Sequence, residues 1–262
     1  MPCILGILVA TALFTITYFG KHLTLSGAVL VAIIVMLFAS FNLWNMLALL
    51  LVTYIVIMLV DKIASKHRDT INCNIISKSG ARSAKQILVN GFAALLATAL
   101  FVTMEYKVFL IVFAVGVGET FADSIASDIG VLAKKAPRDI CTWKQIVPGL
   151  SGGVSLLGIM ASVIASMLFG CLAFAFLRLS ITETLAILGF SILGSFVDSL
   201  FGSRVQVKYQ CNACNTLTEK KQHCNTQTKH ISGIKWMDNC VVNFSSNLIV
   251  CLLCFGLFWG GI

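Results

Sequence analysis

Charged side chains are scarce in this sequence. Asp, Glu, Lys and Arg make up 11% of its 262 residues, whereas 58% of the residues are hydrophobic. A soluble globular domain of ordinary composition carries about 25% charged residues. The low charge, together with a mean hydropathy of +0.93, therefore excludes an ordinary soluble domain.

The apolar residues occur in blocks long enough to cross a lipid bilayer, which takes about 20 helical residues. Eight such blocks can be read, at about 4–20, 23–41, 43–60, 86–104, 107–129, 152–177, 182–203 and 240–259. The sequence therefore predicts an all-α, polytopic integral membrane bundle with about eight transmembrane helices. Because the first two blocks are short, one of them could be re-entrant or interfacial, which would leave about seven spans.

Basic residues are almost absent from one side of the predicted membrane. Of the 19 Lys and Arg, 17 lie in segments that follow odd-numbered blocks, and only Lys107 and Arg178 lie on the other side. The positive-inside rule places the basic segments in the cytoplasm and both termini outside. The net charge of +8 is thus a topology signal, and it predicts membrane lipids, not nucleic acid, as partners. We expect an integral protein of a bacterial or archaeal plasma membrane.

The residues that could carry chemistry are unevenly spread along the predicted single transmembrane domain, 1–262. Residues 1–60 form three closely connected helices with few polar side chains, so we expect them to pack or to shape a lipid-facing groove. Residues 61–262 alternate polar loops with helices that carry polar side chains, and they are the predicted functional half. The segment 204–238 is the predicted cytoplasmic Cys/His loop.

Two similar stretches with the pattern Phe-x-Asp-Ser each place an aspartate near the cytoplasmic end of a predicted helix. Inserting an acid into a membrane span costs about 2.5–3.5 kcal/mol, so Asp123 and Asp198 are candidate catalytic residues. Glu119 lies one helical turn before Asp123 on the same face, and Asp128 extends the catalytic candidates. Clustered carboxylates without a local lysine favour Mg²⁺, which Asp123 and Asp198 would bind. The alternative is a set of polar residues that join helices through loop Lys or Arg.

A glycine-rich turn before the sixth block is a candidate phosphate site. Ser151, Gly152 and Gly153 lie where a helix is predicted to begin, and free N–H groups at a helix N-terminus attract phosphate. The turn lacks the Gly-Lys-Ser/Thr ending of a Walker A motif. A flexible re-entry turn that allows close helix packing is the alternative.

Several side chains in the predicted cytoplasmic loops could contact phosphate or support the site. The candidate phosphate-binding cations are Lys78, Arg82, Arg138 and Arg204. Cations next to a membrane are also common as topology signals and lipid contacts, which is the alternative for Arg138 and Arg204, as for Lys144 and Lys208. The amides of Gln86 and Asn90, four residues apart, face one way at the start of the fourth block and are predicted to give polar support.

The loop signature Cys211-x2-Cys214, followed by His223 and Cys224, places three thiols and one imidazole within 14 residues. A cytoplasmic loop is in a reducing compartment, so a disulfide is not expected. Three thiolates and one histidine form a closed tetrahedral ligand set, which predicts a structural Zn²⁺ ion. His230 is a rival for the fourth position, and free loop cysteines are the alternative to a metal.

These motifs, in this order, resemble the transmembrane protein 19 family, also known as domain of unknown function 92. The matching segments are Lys78-x-Gly-x-Arg82-x3-Gln86-x3-Asn90-Gly91, Ala122-Asp123-Ser124-x2-Ser127-Asp128-Ile129-Gly130, Pro137-Arg138, Ser151-Gly-Gly-Val-Ser155-x2-Gly158, Gly194-Ser195-x2-Asp198-Ser199-x3-Gly202, the Cys/His loop, and Asn239-x3-Asn243. The chain departs from the family pattern at Asp128, where Glu is usual, and at Ser124, where Thr is usual.

The resemblance implies an activity known for one branch of the family. The plant branch resembles a phytyl-phosphate kinase, which transfers a phosphoryl group from a nucleoside triphosphate, CTP, to an isoprenoid monophosphate. By this resemblance Asp123 and Asp198 would bind Mg²⁺ with Asp128 assisting, and Asn243 would give polar support. The cations and the glycine-rich turn would hold the phosphates of a nucleoside triphosphate and a prenyl phosphate.

Phosphoryl transfer fits the residues, because it needs little beyond positioning, Mg²⁺ and groups that bind phosphate. Three alternatives remain open. A membrane transporter is one, and Glu119 is the acid deep enough in the membrane to favour it. A lipid cytidylyltransferase would use the same groups but release diphosphate. A non-enzymatic membrane protein would use the acids only to join helices.

Overall fold

The chain folds into a bundle of α-helices with short strands in its polar connections. The computed structural model describes the backbone of residues 2–68 and 80–260 and the side chains of 3–65 and 80–260. Within these residues the helices are α1 (Pro2–Phe19), α2 (Leu25–Ser40), α3 (Trp44–Arg68), α4 (Ala84–Met104), α5 (Lys107–Gly130), α6 (Leu156–Leu177), α7 (Ile181–Arg204) and α8 (Asn239–Trp259). The predicted all-α membrane bundle of eight helices is thus confirmed.

Six of these helices are long and apolar enough to cross a membrane, namely α3 to α8. The apolar parts of α1 and α2, Cys3–Phe19 and Leu25–Ser40, are shorter. This agrees with the expectation that the first two blocks are the weakest candidates for full spans. Large apolar side chains such as Ile7, Leu157 and Leu252 are exposed on the outside of the bundle, where a lipid environment would cover them.

Helix α5 is the central element of the bundle. Of the residues in its apolar core, 83% are buried inside the protein, compared with 22–33% in the other five long helices. It contacts α3, α4, α6, α7 and α8. Small residues allow this close packing: a methyl group added to Gly116 would lie 3.3 Å from the Ala94 backbone nitrogen. Any acid on α5 is therefore held by neighbours on several sides.

Side chains of small polar residues fix where several helices begin. Ser83 and Gln86 form a capping box at α4, in which Gln86 Oε1 accepts from the Ser83 N–H at 2.8 Å. At α6, the Ser155 hydroxyl accepts from the Gly158 N–H at 3.1 Å. Asp238 caps α8 by accepting from the Val241 N–H at 3.0 Å. These caps satisfy N–H groups that would otherwise be unpaired at a membrane boundary.

The basic loops gather at one end of the bundle, which we call the basic end: the segments 80–83, 131–155 and 205–238. A Lys85–Asp238 ion pair of 3.7 Å joins the starts of α4 and α8 there. At the opposite end, Lys107 Nζ pairs with Glu183 Oε1 at 2.7 Å, and the Tyr106 ring contacts Trp259. The two ends are therefore chemically distinct.

The basic end contains short strands that the sequence analysis did not anticipate. Strands β1 (Arg138–Asp139) and β2 (Gly153–Val154) pair antiparallel. A four-stranded antiparallel sheet with the order β4-β3-β6-β5 occupies the predicted Cys/His loop. Its strands are β3 (Lys208–Cys211), β4 (Leu217–Thr218), β5 (Gln222–His223) and β6 (Thr226–Ser232). These strands lie in polar connections, so the helical periodicity of the spans could not reveal them.

Candidate functional site

A cavity of about 120 Å³ opens at the basic end, and we call it the acidic cavity. It lies between the last turns of α5, the start of α6, the end of α7 and the start of α8. Its walls include three aspartates, the glycine-rich turn and one glutamate from the Cys/His loop. These lining residues are Asp123, Asp128, Ser151, Gly152, Gly153, Asp198 and Glu219.

The structure brings Asp123, Asp128 and Asp198 to the same cavity, although Asp198 is on a different helix from the other two. Asp123 and Asp128 are 8% and 6% exposed, so both carboxyl groups are largely enclosed by protein. The two Phe-x-Asp-Ser stretches thus contribute to one site.

Two side chains of α8 donate hydrogen bonds to Asp198. The Ser246 hydroxyl donates to Asp198 Oδ2 at 3.2 Å. With the Asn243 amide oriented to satisfy its neighbours, its nitrogen donates to Asp198 Oδ2 at 3.1 Å and to the Asn239 carbonyl at 2.8 Å. The structure thereby places Asn243 beside one of the acids that it was predicted to support.

Glu119 lies one turn deeper and does not line the acidic cavity. It is 3% exposed and forms part of a polar layer between α5 and α8. Asn247 Nδ2 donates to its Oε2 at 2.5 Å, and the Ser246 hydroxyl lies 3.3 Å from its Oε1. Ser246 therefore contacts both Glu119 and Asp198, and it connects this polar layer to the cavity wall.

The glycine-rich turn approaches the end of α7 so closely that side chains would not fit. Gly152 has φ +86°, and a methyl group added to it would lie 2.5 Å from the Ser203 Cα. A methyl group on Gly202 would lie 2.7 Å from the Gly152 nitrogen. Glycine is needed at both positions, because the two backbones meet without intervening side chains.

Two side chains that the sequence analysis did not single out hold this turn. Glu219 Oε1 accepts from the Ser151 N–H at 2.7 Å. Gln206 Nε2 donates to the Ser151 hydroxyl at 2.9 Å. A single glutamate in a polar loop has no distinguishing pattern, so only the fold could reveal that Glu219 reaches the cavity.

Asp139 is a third residue that the sequence gave no reason to select. Its Oδ1 accepts from the Thr142 N–H at 2.8 Å, and its Oδ2 accepts from the Ser203 hydroxyl at 2.7 Å. Partial burial opposes its ionisation, but these hydrogen bonds outweigh that effect and lower the pKa of Asp139. Asp139 thus ties the loop after α5 to the end of α7.

The predicted phosphate-binding cations do not converge on the acidic cavity. The Arg138 guanidinium donates to the Trp143 carbonyl at 3.0 Å, and Arg204 is exposed beyond the cavity wall. Among the residues that the structure describes, no Lys or Arg lines the cavity. Lys78 lies outside the described residues. The glycine-rich turn is therefore the predicted phosphate-binding element that the structure places there.

Arg82, Gln86 and Asn90 line a different cavity, of about 180 Å³, between α2, α3, α4 and α5. We call it the apolar groove. Its interior walls are mainly aliphatic and aromatic, with Ile34, Leu50, Leu95, Phe113 and Phe121 among them. Its polar side chains lie mostly toward the start of α4. Residues 1–60, predicted as packing helices or as the wall of a groove, contribute one side of it through α2 and α3.

Backbone contacts fix Arg82 at the mouth of this groove. The Arg82 N–H donates to the His22 carbonyl at 3.0 Å, and its carbonyl accepts from the Thr24 N–H at 3.1 Å. The Arg82 side chain is half-buried. Within residues 2–68 and 80–260, Arg82 forms no ion pair with a carboxylate.

The apolar groove and the acidic cavity each have a wall residue on α5 within one helical turn of the other. Thr120 lines the groove and Asp123 lines the cavity. Residues three apart on a helix are neighbours on one face, about 4.5 Å apart along the axis. The Thr120 hydroxyl also donates to the Asn90 carbonyl at 3.0 Å, which joins α5 to α4 at this boundary.

The Cys/His loop brings its four predicted ligands together. The ligand atoms of Cys211, Cys214, His223 and Cys224 all lie within 4.8 Å of one another. Hydrogen bonds from the Cys214 N–H and from His223 lower the pKa of the Cys211 thiol to about 6. The neighbouring Cys214 sulfur raises the pKa of the Cys224 thiol to about 11. The thiols lie so close together that a negative charge on one of them opposes ionisation of its neighbour.

The fold and the site define a polytopic helical membrane protein with a carboxylate-lined cavity at one membrane face. Residues 8–251 match the family described as "Integral membrane protein DUF92", and the chain belongs to this family. This confirms the resemblance drawn from the motifs.

Curated relatives show the same kinship. The chain is 30% identical over 142 residues to Protein PGR of Arabidopsis thaliana, which covers 50% of this chain and 48% of that protein. The chain therefore spans about half the length of this plant relative. It is 25% identical over 211 residues to an uncharacterized membrane protein of Methanocaldococcus jannaschii, covering 79% of this chain and 80% of the relative. No solved structure matches the chain.

Proposed function

We propose that this protein transfers a phosphoryl group from a nucleoside triphosphate to an isoprenoid monophosphate in a Mg²⁺-dependent reaction. The observation that carries the proposal is the acidic cavity, where three aspartates and a glycine-rich turn from three separate segments meet at one membrane face. The charge distribution predicts that this face is cytoplasmic, where soluble nucleotides are available. The family resemblance favours CTP as the donor and a phytyl or related prenyl phosphate as the acceptor.

The donor set of the cavity fits Mg²⁺. This ion prefers hard oxygen ligands, and it is usually held by one or two carboxylates together with substrate phosphates. Asp123 and Asp198 would hold it, with Asp128 assisting. The ion held by these residues would supply positive charge against the negative charge of the phosphates. Ser246 and Asn243 keep Asp198 oriented, since both donate to its Oδ2.

The glycine-rich turn supplies the second half of the site. The turn of residues 151–153 lines the cavity shortly before α6 begins at Leu156. Its Ser151 and Gly153 N–H groups donate to Glu219 Oε1 and to the Leu150 carbonyl, so a phosphate bound by them would take the place of these acceptors. Because no cation of the described residues lines the cavity, the metal would carry most of the phosphate binding. Lys78 remains a predicted contact from outside the described residues.

The reaction needs no catalytic base at the acceptor. A phosphomonoester has a second pKa of about 6, so its oxygens are already anionic at neutral pH. One acceptor oxygen attacks the γ-phosphorus, and the bond from that phosphorus to the β–γ bridging oxygen breaks. The products are a nucleoside diphosphate and an isoprenoid diphosphate. The cavity accordingly requires positioning groups and charge neutralisation, and these are what its residues offer.

The apolar groove supports a lipid acceptor. Its interior would accommodate a hydrocarbon chain, and Arg82 at its mouth would attract the anionic head group. Thr120 of the groove wall and Asp123 of the cavity wall lie within one turn of each other on α5, and this spacing supports an acceptor whose chain lies in the groove and whose head group reaches toward the aspartates. Glu119, the residue that favoured a transporter, is bonded to α8 and lines neither cavity.

The proposal is tested with purified protein in lipid vesicles, Mg²⁺, and CTP or ATP. Phytyl, farnesyl and geranylgeranyl phosphate are offered separately, and the products are identified by mass spectrometry. We expect a prenyl diphosphate and a nucleoside diphosphate, and no product with Mg²⁺ removed. A nucleotidyl-lipid with free diphosphate would instead indicate a cytidylyltransferase. No turnover with any acceptor would contradict the proposal, and a substrate-driven ion flux in the same vesicles would indicate transport.

A further inference from the structure

We propose that Cys211, Cys214, His223 and Cys224 bind one zinc ion, and that this ion holds Glu219 against the glycine-rich turn of the acidic cavity. The four ligands come from β3, the turn after it, β5 and the turn that leads into β6. None of these residues is one of the three aspartates of the acidic cavity. Zinc binding here does not depend on phosphoryl transfer in the cavity.

The three separations among the ligand atoms of Cys214, His223 and Cys224 match those in a tetrahedral zinc site, and the Cys211 sulfur lies within 4.8 Å of all three. With Zn–S bonds of about 2.3 Å and Zn–N bonds of about 2.0–2.1 Å, sulfurs lie about 3.8 Å apart and sulfur and nitrogen about 3.6 Å apart. In the structure the Cys214 and Cys224 sulfurs are 3.8 Å apart. His223 Nδ1 lies 3.5 Å from the Cys214 sulfur and 3.3 Å from the Cys224 sulfur. One ion therefore fits between these groups with little rearrangement.

The structure assigns the fourth ligand to His223 rather than to His230. His230 Nε2 lies 3.0 Å from the Gly233 carbonyl, and its ring contacts the Tyr209 ring edge-on. His230 is absent from the group of mutually close ligand atoms. The Cys211 sulfur accepts from the Ala213 N–H at 3.4 Å, a contact that stabilises a thiolate ligand.

Glu219 lies between the two pairs of ligands along the chain. Cys211 and Cys214 precede it, and His223 and Cys224 follow it. A metal that binds both pairs therefore fixes both ends of the segment that carries Glu219. Inside this segment the Lys220 N–H donates to the Thr218 hydroxyl at 3.2 Å, which limits its movement further.

The contact between Glu219 and the turn is the point at which the zinc site reaches the cavity. Glu219 Oε1 accepts from the Ser151 N–H at 2.7 Å, and Glu219 also lines the cavity. Lys208, buried nearby, has its pKa lowered by burial, an effect that the charges of Asp139 and Glu219 oppose. We therefore assign Glu219 as a positioning residue: it holds the turn from one side, while Gln206 holds the Ser151 hydroxyl from the other.

The metal site is tested by elemental analysis of full-length protein purified in detergent without chelator and with its thiols reduced. We expect about one zinc per chain, and loss of that zinc in Cys214→Ser combined with Cys224→Ser. Cys171→Ser and His230→Ala serve as matched controls and should keep the metal. Protein grown with Co²⁺ should show the visible absorption of tetrahedral thiolate-bound cobalt. Wild-type protein without bound zinc or cobalt, or zinc retained in the double variant, would overturn the assignment.

The link to the cavity is tested by hydrogen–deuterium exchange at residues 149–155. Glu219→Ala should keep its zinc, yet the turn should exchange about tenfold faster, since the Ser151 N–H loses a charged acceptor. Glu219→Gln should give an intermediate rate, and the zinc-free double cysteine variant should resemble Glu219→Ala. Unchanged exchange in the zinc-free variant would show that the metal does not position Glu219. Neither readout depends on catalytic activity, so failure here and failure of the proposed function are separable.

Discussion

At the scale of single residues, the acidic cavity depends on carboxylates that would be costly in a membrane without partners. Asp198 has Ser246 and Asn243 as donors, and Glu119 has Asn247 as its donor. The Ser246 oxygen also lies 3.3 Å from Glu119 Oε1, so its single proton is placed between two acids that are on different helices. The cost of holding both acids in the bundle is therefore offset by side chains of α8.

Gly152 lies in the cavity wall at a position where any side chain would clash with the backbone of α7. Gly152→Ala should destabilise the protein by about 2–4 kcal/mol, because the new methyl group meets the Ser203 backbone and the positive φ disfavours alanine. Thermal unfolding in detergent would measure this loss. Gly189→Ala is the control: nothing lies within 4 Å of its added methyl group, and alanine suits a helix interior better than glycine. Equal unfolding temperatures for the two variants would contradict the described packing of the turn.

Residue patterns in the sequence predicted the aspartates of the cavity but not the two acids that hold the loops around it. Asp123 and Asp198 are recognisable because acids are rare in apolar blocks. The Cys/His spacing is recognisable because it is typical of zinc ligands. Glu219 and Asp139 lie in polar loops, where acids are common. Their roles come from tertiary contacts with Ser151 and Ser203, so no local signal could identify them.

At the scale of elements, the pairing of α5 with its neighbours separates two compartments. Its side toward the start of α6 and the end of α7 contributes to the acidic cavity, and its side toward α2, α3 and α4 contributes to the apolar groove. Hydropathy predicted both helices and loops here. It could not predict that Arg82, Gln86 and Asn90 line the groove and not the acidic cavity, because that depends on how α4 packs against α3 and α5.

Arg82 tests whether the apolar groove binds the acceptor lipid. Arg82→Ala should raise KM for the prenyl phosphate about 10- to 100-fold, since a charged hydrogen bond to the head group is lost, and should leave KM for the nucleotide unchanged. Steady-state kinetics with each substrate varied in turn would measure both constants. Arg204→Ala is the matched control, because Arg204 is exposed at the same end and lines neither cavity. An unchanged prenyl phosphate KM in Arg82→Ala would contradict the assignment of the groove.

At the scale of the whole molecule, chemistry is concentrated at one end of an otherwise apolar bundle. The acidic cavity, the mouth of the groove and the Cys/His sheet all lie at the basic end. Such an arrangement suits a reaction between a soluble nucleotide and a lipid head group at a membrane surface. The sequence predicted this polarity well, because the positions of Lys and Arg report it directly. Hydrophobic periodicity could not predict that the Cys/His loop folds into a sheet, or that Glu219 from this loop contacts the glycine-rich turn.

The most direct test of the central claim is the rate of γ-phosphoryl transfer to a prenyl phosphate in Asp123→Asn and in Asp198→Asn. Each change keeps the shape of the side chain but removes a negative charge from the cavity. We expect each variant to be at least about 100-fold slower than wild type, as is common when a group that stabilises the transferring charge is lost. Glu105→Gln, an exposed acid at the opposite end, should retain the wild-type rate. Folded, zinc-loaded Asp123→Asn and Asp198→Asn proteins with wild-type transfer rates would contradict the account.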